Sequence, residues 1–323
     1  MISRPTVSII IPCFNGERFL AQAIDAVLGQ TYPQCEVIVV DDGSSDGSAV
    51  IMQKYAKRIR VVRQANAGLP AARNAGIRVS TGVYLAFLDA DDYWRHDFIE
   101  KMVQALEMSG AAIAYCGWQN VGLPGERDKP FTPPDYEQPD KLEKMVVGVR
   151  WPVHAALTRR EVVKALGGFD PKWSTCEDFA FWIRAATLYR LVRVAEVLAF
   201  YRHHDGIQMT KQRAVIARNH WLVQRDFLAQ NPKIANELGR SLVRDSTHGE
   251  LLKRGYECYW DRDLPAARAI FKIIMGAGYG TLEDWKYMLP AWLPLTWHQR
   301  MVQFRDQVKH SRKQLDKHNF DED

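Results

Sequence analysis

Residues 81–92 have the sequence TGVYLAFLDADD, which contains the strongest fold signal of the chain. The apolar run 83–88 follows a Thr-Gly turn and predicts a buried β-strand. Three carboxylates, Asp89, Asp91 and Asp92, come directly after it. They repel one another unless a positive group lies among them, and a hard cation such as Mg²⁺ or Mn²⁺ meets that need and commonly brings a diphosphate. The alternative is a solvated acidic turn in which Asp92 caps the next helix.

Two other apolar runs also end in polar turns. Residues 7–11 lead into Pro12 and Asn15, and residues 37–40 lead into an acidic turn that begins at Asp41. Helical patterns separate the three runs, at residues 19–28, 50–55 and 69–77. Strands that alternate with helices predict an α/β fold, in which a mostly parallel sheet has helices on both faces. Ligands of such sheets bind at the carboxyl ends of the strands, so the three turns predict one shared cleft.

Six motifs follow in order over the first two thirds of the chain: VSIIIPCFN (7–15), VVDDGSSD (39–46), NAGLPAARNAGI (66–77), YLAFLDADD (84–92), GGFD (167–170) with ED (177–178), and YRHH (201–204). In these motifs and their spacing the chain resembles the inverting, nucleotide-sugar-dependent glycosyltransferases of family 2. The resemblance implies the GT-A fold, a Rossmann-like and mostly parallel sheet flanked by helices.

The resemblance also implies which residues bind the nucleotide sugar. They are Pro12, Asn15, Asp41, Arg73, Asn74, Asp89 and Ala90. Asp41 can accept a hydrogen bond from a uracil N–H, and Asp89 can bond the ribose or reach a metal through water. Structural roles stay open for three of these residues. Pro12 and Asn15 can stop a strand and cap a helix, and Arg73 can be a solvated helix residue.

A divalent cofactor, Mn²⁺ or Mg²⁺, is a further implication of the resemblance. Asp91 is the expected direct ligand, and the late histidine of the family matches His204. The adjacent His203 leaves the register of that histidine open. Both assignments compete with ordinary structural roles, because a single histidine is more often structural than ligating.

The general base that the family places at the second acid of its ED pair falls on Asp178. An inverting displacement needs one carboxylate to take the proton of the acceptor hydroxyl while the diphosphate leaves from the other face of the sugar. Glu177 and Asp178 precede an aromatic-rich helical pattern at residues 179–184. The alternative is therefore that both acids only interact favourably with the helix dipole.

Composition excludes several other classes. The chain has 323 residues, is 47% hydrophobic and carries a formal charge of +5, without the clustered basic and aromatic motifs of nucleic-acid binders. It has no apolar run of bilayer length, no signal-peptide pattern at its start, and five scattered cysteines that predict reduced thiols in a cytoplasmic protein. Dinucleotide-binding and P-loop glycine motifs are absent from the sequence, as is the Gln-x-x-Arg-Trp motif of processive relatives.

We predict three segments: a nucleotide-sugar-binding half (1–109), an acceptor-binding half that contains the base (110–212), and a C-terminal helical region (213–323). Loops at 122–125 and 132–135 are candidates for acceptor specificity, and Trp151, Trp173 and Trp182 are candidates for stacking on sugar rings. Residues 255–271 resemble one helical hairpin of the tetratricopeptide kind.

The last part of the chain carries a second expectation about partners. Residues 285–304 are rich in Trp, Leu and Pro, and basic residues follow: Lys309, Arg312, Lys313 and Lys317. Such a segment can lie on a membrane surface, form an oligomer interface or pack as a core helix.

Together these features predict a metal-dependent, non-processive, inverting hexosyl- or N-acetylhexosaminyltransferase. A UDP-sugar is the favoured donor, over GDP- or dTDP-sugars, and a surface glycan or its lipid-linked precursor is the expected acceptor. The predicted location is cytoplasmic, with peripheral contact at the inner face of the membrane. A silent module that binds nucleotide sugar or a protein partner is the alternative from another functional class.

Overall fold

The protein is described by a computed structural model that covers residues 4–122, 128–206, 209–305 and 307. Most of the predicted loop 122–125 lies outside the described residues, as do the basic positions Lys309, Arg312, Lys313 and Lys317. The described residues fall into two compact units. Unit 1 consists of the described residues of Met1–Met209 and Val223–Leu238, and unit 2 of those of Thr210–Leu222 and Gly239–Asp323.

Unit 1 is built on one sheet, to which the described residues contribute nine strands. In chain order these are β1 (Val7–Cys13), β2 (Cys35–Asp41), β3 (Arg60–Arg63), β4 (Tyr84–Phe87), β5 (Tyr93–Trp94), β6 (Ile113–Val121), β7 (Pro130–Phe131), β8 (Ala156–Arg159) and β9 (Leu191–Arg202). Their order across the sheet is β3-β2-β1-β4-β8-β6-β9-β5, and β7 pairs with β6.

The sheet changes character halfway across. Strands β3, β2, β1 and β4 are all parallel, as predicted. The side chains of β1 and β4 are buried on both faces of the sheet. Beyond β4, strand β8 runs antiparallel to both β4 and β6, and β5 runs antiparallel to β9. The expectation of a mostly parallel sheet therefore holds for strands β1 to β4, whereas the sheet as a whole is mixed.

The described residues form helices in both units. They are α1 (Leu20–Leu28), α2 (Ser48–Lys54), α3 (Leu69–Val79), α4 (Phe98–Ser109), α5 (Lys141–Val147), α6 (Arg160–Ala165), α7 (Glu177–Leu188), α8 (Arg213–Gln230), α9 (Pro232–Leu238), α10 (Arg240–Arg244), α11 (Glu250–Trp260), α12 (Leu264–Gly276) and α13 (Leu282–Met288). Within the described ranges, none of the helices is both long and apolar enough to cross a bilayer.

Helix α3 lies unusually close to β1, and a glycine makes this possible. A Cβ on Gly76 would stand 2.4 Å from Cγ2 of Ile10, a fully buried β1 side chain. The helix begins with proline in its first turn, where the missing N–H has no cost. Arg73 is also buried on this helix, so the depth of α3 places a charged side chain inside unit 1.

Unit 2 is helical and has its own core. Helices α11 and α12 form the predicted hairpin, and Asp263 caps α12 by accepting a hydrogen bond from the Ala266 N–H. Gly255 allows the close approach, because a Cβ there would meet the Phe271 ring at 2.7 Å. A further helix begins at Leu295, and its described part reaches residue 305.

We expect Gly76→Ala to lower the free energy of unfolding of unit 1 by about 1–3 kcal/mol, since the new methyl group overpacks against Ile10. The matched control is Gly276→Ala in α12, where no atom lies within 4 Å of the added Cβ. Chemical denaturation followed by circular dichroism measures both changes. Equal midpoints for the two variants would contradict this view of how α3 packs.

Candidate active site

The carboxyl ends of β1 and β2 are joined by hydrogen bonds between their turns. Asp41 is buried and accepts a hydrogen bond from the Ser44 N–H at 2.9 Å. Asn15, with a φ of +52°, accepts one from the Ser45 N–H at 2.8 Å, and its own N–H donates to the Ser44 hydroxyl. Pro12 is a buried β1 residue beside Val40. Asn15 therefore links the two turns and does not cap a helix, because Phe19 and Gly47 occupy the N-cap positions of α1 and α2. Its nucleotide contact stays a prediction.

Asp42 is a site residue that the sequence analysis missed. It is 3% exposed and accepts three hydrogen bonds: Oδ1 from the Gln64 side chain and the Ala67 N–H, and Oδ2 from the Gly68 N–H. Its carboxylate therefore fixes the loop that leads into α3. The available signal was the Asp-Asp pair at the end of β2, of which only the first acid received a role.

Arg73 joins two acidic groups that are far apart in the sequence. Its guanidinium donates to Oδ1 of Asp89 at 2.7 Å and to Oε1 of Glu177 at 2.5 Å, and the side chain is 1% exposed. The Phe169 ring lies 5.3 Å from the guanidinium carbon. The alternative of a solvated helix arginine is therefore wrong, because the depth of α3 buries the charge between two carboxylates.

The two acids of the ED pair have different surroundings. Both lie in the first turn of α7, as predicted, where Glu177 is buried against Arg73 and Asp178 is partly exposed. Burial raises the pKa of Glu177 to about 7 although Arg73 opposes this, and it also raises the pKa of Asp178. Oδ1 of Asp178 accepts a hydrogen bond from the Phe179 N–H at 2.7 Å. Asp178 is thus the more exposed acid of the pair.

Asn74 holds the GGFD segment. Its amide donates to the Phe169 carbonyl at 2.7 Å, and its Oδ1 accepts from the Phe169 N–H at 2.9 Å. Gly168 adopts a φ of +78°, and a Cβ there would stand 2.5 Å from that oxygen. These contacts give Asn74 a structural role that the sequence did not predict, and its nucleotide contact stays a prediction.

The structure pairs Asp91 with His204. Nε2 of His204 lies 3.2 Å from Oδ2 of Asp91, whereas the ring of His203 contacts Oδ1 of Asn120 at 2.8 Å. The contact selects His204 as the histidine next to the acidic turn. Burial and the neighbouring Asp89 raise the pKa of Asp91, so the carboxylate lies where added positive charge would stabilise it. Ala90 lies between the two acids in sequence, and a Cβ added to Gly16 would stand 3.3 Å from its Cβ, closer than an ordinary contact.

Asp92 does not cap a helix. Helix α4 begins at Phe98 with Asp97 at its N-cap position, and Asp92 is instead 2% exposed. Oδ1 of Asp92 accepts a hydrogen bond from the Arg202 N–H at 2.8 Å, and Oδ2 lies 3.1 Å from Nδ1 of the buried His154. The Arg202 side chain donates to the Asp91 carbonyl. Asp92 and Arg202 therefore hold the end of β9, with its histidines, against the acidic turn.

The donor set fits a hard divalent cation only in part. Among the described residues, no group of three or more His, Cys, Asp or Glu side chains could enclose a metal ion. Asp91 and His204 form a contacting pair of an oxygen and a nitrogen donor 3.2 Å apart, and this chemistry of the pair suits a divalent cation. Mg²⁺ commonly uses one or two protein carboxylates and takes its other ligands from substrate phosphates and water. Two protein ligands are therefore compatible with a metal bound together with a diphosphate.

The three candidate tryptophans belong to the core. Trp151, Trp173 and Trp182 are 3%, 8% and 1% exposed, respectively. Trp151 stacks on Tyr115 with ring centroids 4.4 Å apart. They are unavailable for stacking on sugar rings in this structure, since their faces are covered by the protein.

Comparisons with known proteins agree with this architecture. The family model described as Glycosyl transferase family 2 matches residues 8–167. The putative teichuronic acid biosynthesis glycosyltransferase TuaG of Bacillus subtilis (strain 168) is 31% identical over 235 residues, which cover 69% of this chain and 89% of TuaG. The uncharacterized glycosyltransferase EpsJ of the same organism is 34% identical over 217 residues, or 62% of each protein, so the match spans less than two thirds of EpsJ.

Solved structures share the fold. S. aureus TarS 1-349 in complex with UDP-GlcNAc superposes with a TM-score of 0.55 at 16% identity, over 84% of each chain. The mannosyltransferase PcManGT from Pyrobaculum calidifontis, in complex with GDP-Man and Mn²⁺, gives a TM-score of 0.57 at 20% identity, over 88% of this chain and 78% of that one. At these identities the likeness concerns the fold alone, which is the GT-A fold of those glycosyltransferases.

Proposed function

The chain belongs to glycosyl transferase family 2, and from that premise we propose that it moves one sugar from a UDP-sugar to a hydroxyl group with inversion. The acceptor we propose is a glycan or a lipid-linked glycan in the biosynthesis of surface polysaccharide or glycoconjugate. TuaG, whose printed name refers to teichuronic acid biosynthesis, supports that class of acceptor. The donor sugar is a hexose or an N-acetylhexosamine.

One observation carries the proposal: two acidic clusters with different surroundings lie close together, joined by one buried cation. The acidic turn supplies Asp89 and Asp91, α7 supplies Glu177 and Asp178, and Arg73 contacts both clusters. Sugar transfer needs this division, because a carboxylate must bind the donor side and another must accept the proton of the acceptor.

On the donor side, Asp41 at the end of β2 accepts the uracil N–H, and Asp89 bonds the ribose. Asp91 and His204 would hold Mn²⁺ or Mg²⁺, and a bound cation would supply positive charge that stabilises the leaving diphosphate. UDP-GlcNAc in TarS and GDP-Man with Mn²⁺ in PcManGT are the ligands of structures with this fold. On the acceptor side, Asp178 takes the proton of the attacking hydroxyl.

The alternative, a silent module that binds nucleotide sugar, is disfavoured by the cost of the acidic network. Burying Glu177 with Arg73 and partly burying Asp178 destabilises the fold relative to apolar residues of similar volume. A binding module has no need for those acids, since its donor contacts lie at Asp41 and Asp89. Their presence supports an enzyme.

We expect Asp178→Asn to reduce sugar transfer by roughly 10²-fold or more while UDP affinity and thermal stability stay near wild type. Asparagine remains a good residue for a helix start but accepts no proton. Glu143→Gln is the matched control, because Glu143 is also an acid in the first turn of a helix, α5. Transfer by Asp178→Asn at the wild-type rate would overturn the assignment of the base and favour the helix-dipole alternative.

The metal proposal predicts a difference between two adjacent histidines. His204→Gln and Asp91→Asn should each weaken UDP binding in the presence of Mn²⁺ about tenfold or more, and His203→Gln should not, because its ring contacts Asn120. Isothermal titration with and without Mn²⁺ measures this directly. Chelation should also abolish transfer, so undiminished turnover in excess EDTA would contradict the proposal.

We also propose that unit 2 contacts an anionic membrane surface. The helix that begins at Leu295 exposes Trp297, Met301 and Phe304 on one face, by 61%, 48% and 68%, while His298 and Val302 face the core of unit 2. Arg300 and Arg305 lie on the same helix. An exposed stripe of aromatic and apolar side chains next to cations suits the interfacial layer of a bilayer. A homo-oligomer interface is the competing occupant.

Trp297→Ser combined with Phe304→Ser should reduce binding to anionic liposomes severalfold, and high salt should weaken binding of the unchanged protein. Leu188→Ser is the control, since Leu188 is a 69% exposed apolar residue of unit 1. Cosedimentation measures binding, and light scattering detects oligomers. If the unchanged protein ignores anionic liposomes at low salt, or the pair of substitutions dissociates an oligomer instead, the membrane proposal is wrong.

A further inference from the structure

The buried ion-pair network around Arg73 extends to the residue proposed as general base. Arg73 uses one guanidinium nitrogen for Asp89 and the other terminal nitrogen for Glu177. Asp178 is the residue next to Glu177, partly exposed in the first turn of α7. The guanidinium therefore lies between the proposed donor site and the proposed base, and its position is fixed because Gly76 sets α3 against β1.

Three charged or titratable groups interact with Asp178, and a fourth, His154, interacts with two of them. Arg73 is the positive one, and it opposes the effect of burial on the pKa of Asp178; Asp89 is a negative one that raises this pKa. Glu177 adds a second carboxyl group, whose pKa is raised by burial and by the neighbouring charge of Asp178. His154 interacts with Asp89 and Arg73, and burial lowers its pKa to about 4, so at neutral pH its ring is uncharged. Arg73 is thus the positive charge that favours the ionised form of the base.

We propose that Arg73 is a positioning residue that keeps Asp178 ionised and aligned for proton transfer, and that Glu177 is the counter-ion that holds Arg73 in place. The inference rests on the proposed function in that it takes Asp178 as the base. It assigns Glu177 no proton transfer, because Glu177 is 6% exposed and its Oε1 is bonded to the guanidinium.

The chemistry of arginine explains why this residue stands here. A guanidinium presents its donors in a planar fork, so one side chain can contact two carboxylates on different elements, whereas an ammonium is a point charge. Without the positive charge, Asp89, Glu177 and Asp178 would be three carboxyl groups in a poorly solvated region. Some of them would then take up protons at neutral pH, and a protonated Asp178 cannot act as a base.

The direct test is a pH titration of Asp178 by ¹³C NMR of side-chain carboxyl carbons in the full-length protein without ligand. Its resonance is identified by its absence in Asp178→Asn. Arg73→Met should raise the titration midpoint of Asp178 by about one pH unit or more, and Glu177→Gln should lower it by roughly half a unit. The control, Arg184→Met, should leave it unchanged, because the Arg184 guanidinium of α7 donates to the carbonyls of Ala180, Leu166 and Gly168.

Sugar transfer supplies the second measurement. The sign follows from the need for an ionised base: activity is lost as pH falls through the pKa of Asp178. The acid limb of the transfer rate should therefore move to higher pH in Arg73→Met and to lower pH in Glu177→Gln. Arg73→Lys should keep the acid limb near that of the wild type while lowering kcat, because lysine retains the charge and loses the fork.

The outcomes separate this inference from the proposed function. Wild-type transfer by Asp178→Asn would reject the base, whatever the NMR titration shows. Loss of transfer in Asp178→Asn, together with an unmoved Asp178 midpoint in folded Arg73→Met, would reject the role of Arg73 alone. If Arg73→Met does not fold, Arg73→Gln, which also removes the charge but keeps a polar amide for the buried carboxylates, decides the question, and an unmoved Asp178 midpoint in it overturns the inference.

Discussion

The buried guanidinium of Arg73 is the interaction on which the site depends. It contacts the acid that follows β4 and the first acid of α7, residues that are 88 positions apart in the sequence. Removing one partner of a buried ion pair leaves an uncompensated charge and typically costs about 3–5 kcal/mol. A site that needs several carboxylates close together therefore needs a cation among them, and helix α3 provides it at a depth set by the contact between Gly76 and Ile10.

Two further carboxylates, of Asp42 and Asp92, hold backbone segments beside the candidate site and have no proposed role in the reaction. Asp42 fixes the loop before α3 through three hydrogen bonds, and Asp92 joins the end of its turn to the Arg202 backbone. Each follows a strand whose carboxyl end lies at the same edge of the sheet, and each is adjacent in sequence to a candidate ligand-binding acid, Asp41 or Asp91. In each pair of adjacent aspartates, one carboxylate holds the backbone through hydrogen bonds, and the neighbouring carboxylate is the candidate for binding a ligand. Side chains held in this way lose less entropy when substrate binds.

The sequence predicted the elements that local patterns specify. Three parallel strands with polar ends, the helix from Leu69 and the acidic start of α7 were all visible in hydrophobic periodicity and turn residues. The antiparallel strand β8 was not, since the reversal of direction beyond β4 depends on pairing between distant segments. The sequence predicted Arg73 as a site residue and gave a solvated position on the helix as the alternative. That alternative was wrong, because the burial of a charge is decided by partners that no local pattern reveals. Asn74 and Asp42 show the same limit, since their bonds to the backbone are tertiary contacts.

The two acidic clusters differ in the positive charge that stabilises each of them. Asp91 is next to His204 and is destabilised as an anion by burial and by Asp89, which suits a group that gains from a nearby cation. Asp178 is destabilised as an anion by burial as well, but Arg73 opposes that effect. A cation that binds with the donor can satisfy the first carboxylate only while donor is present, whereas the guanidinium is permanent. The permanent charge therefore belongs with the acid that must stay ionised before the acceptor arrives, and the exchangeable charge belongs with the leaving group.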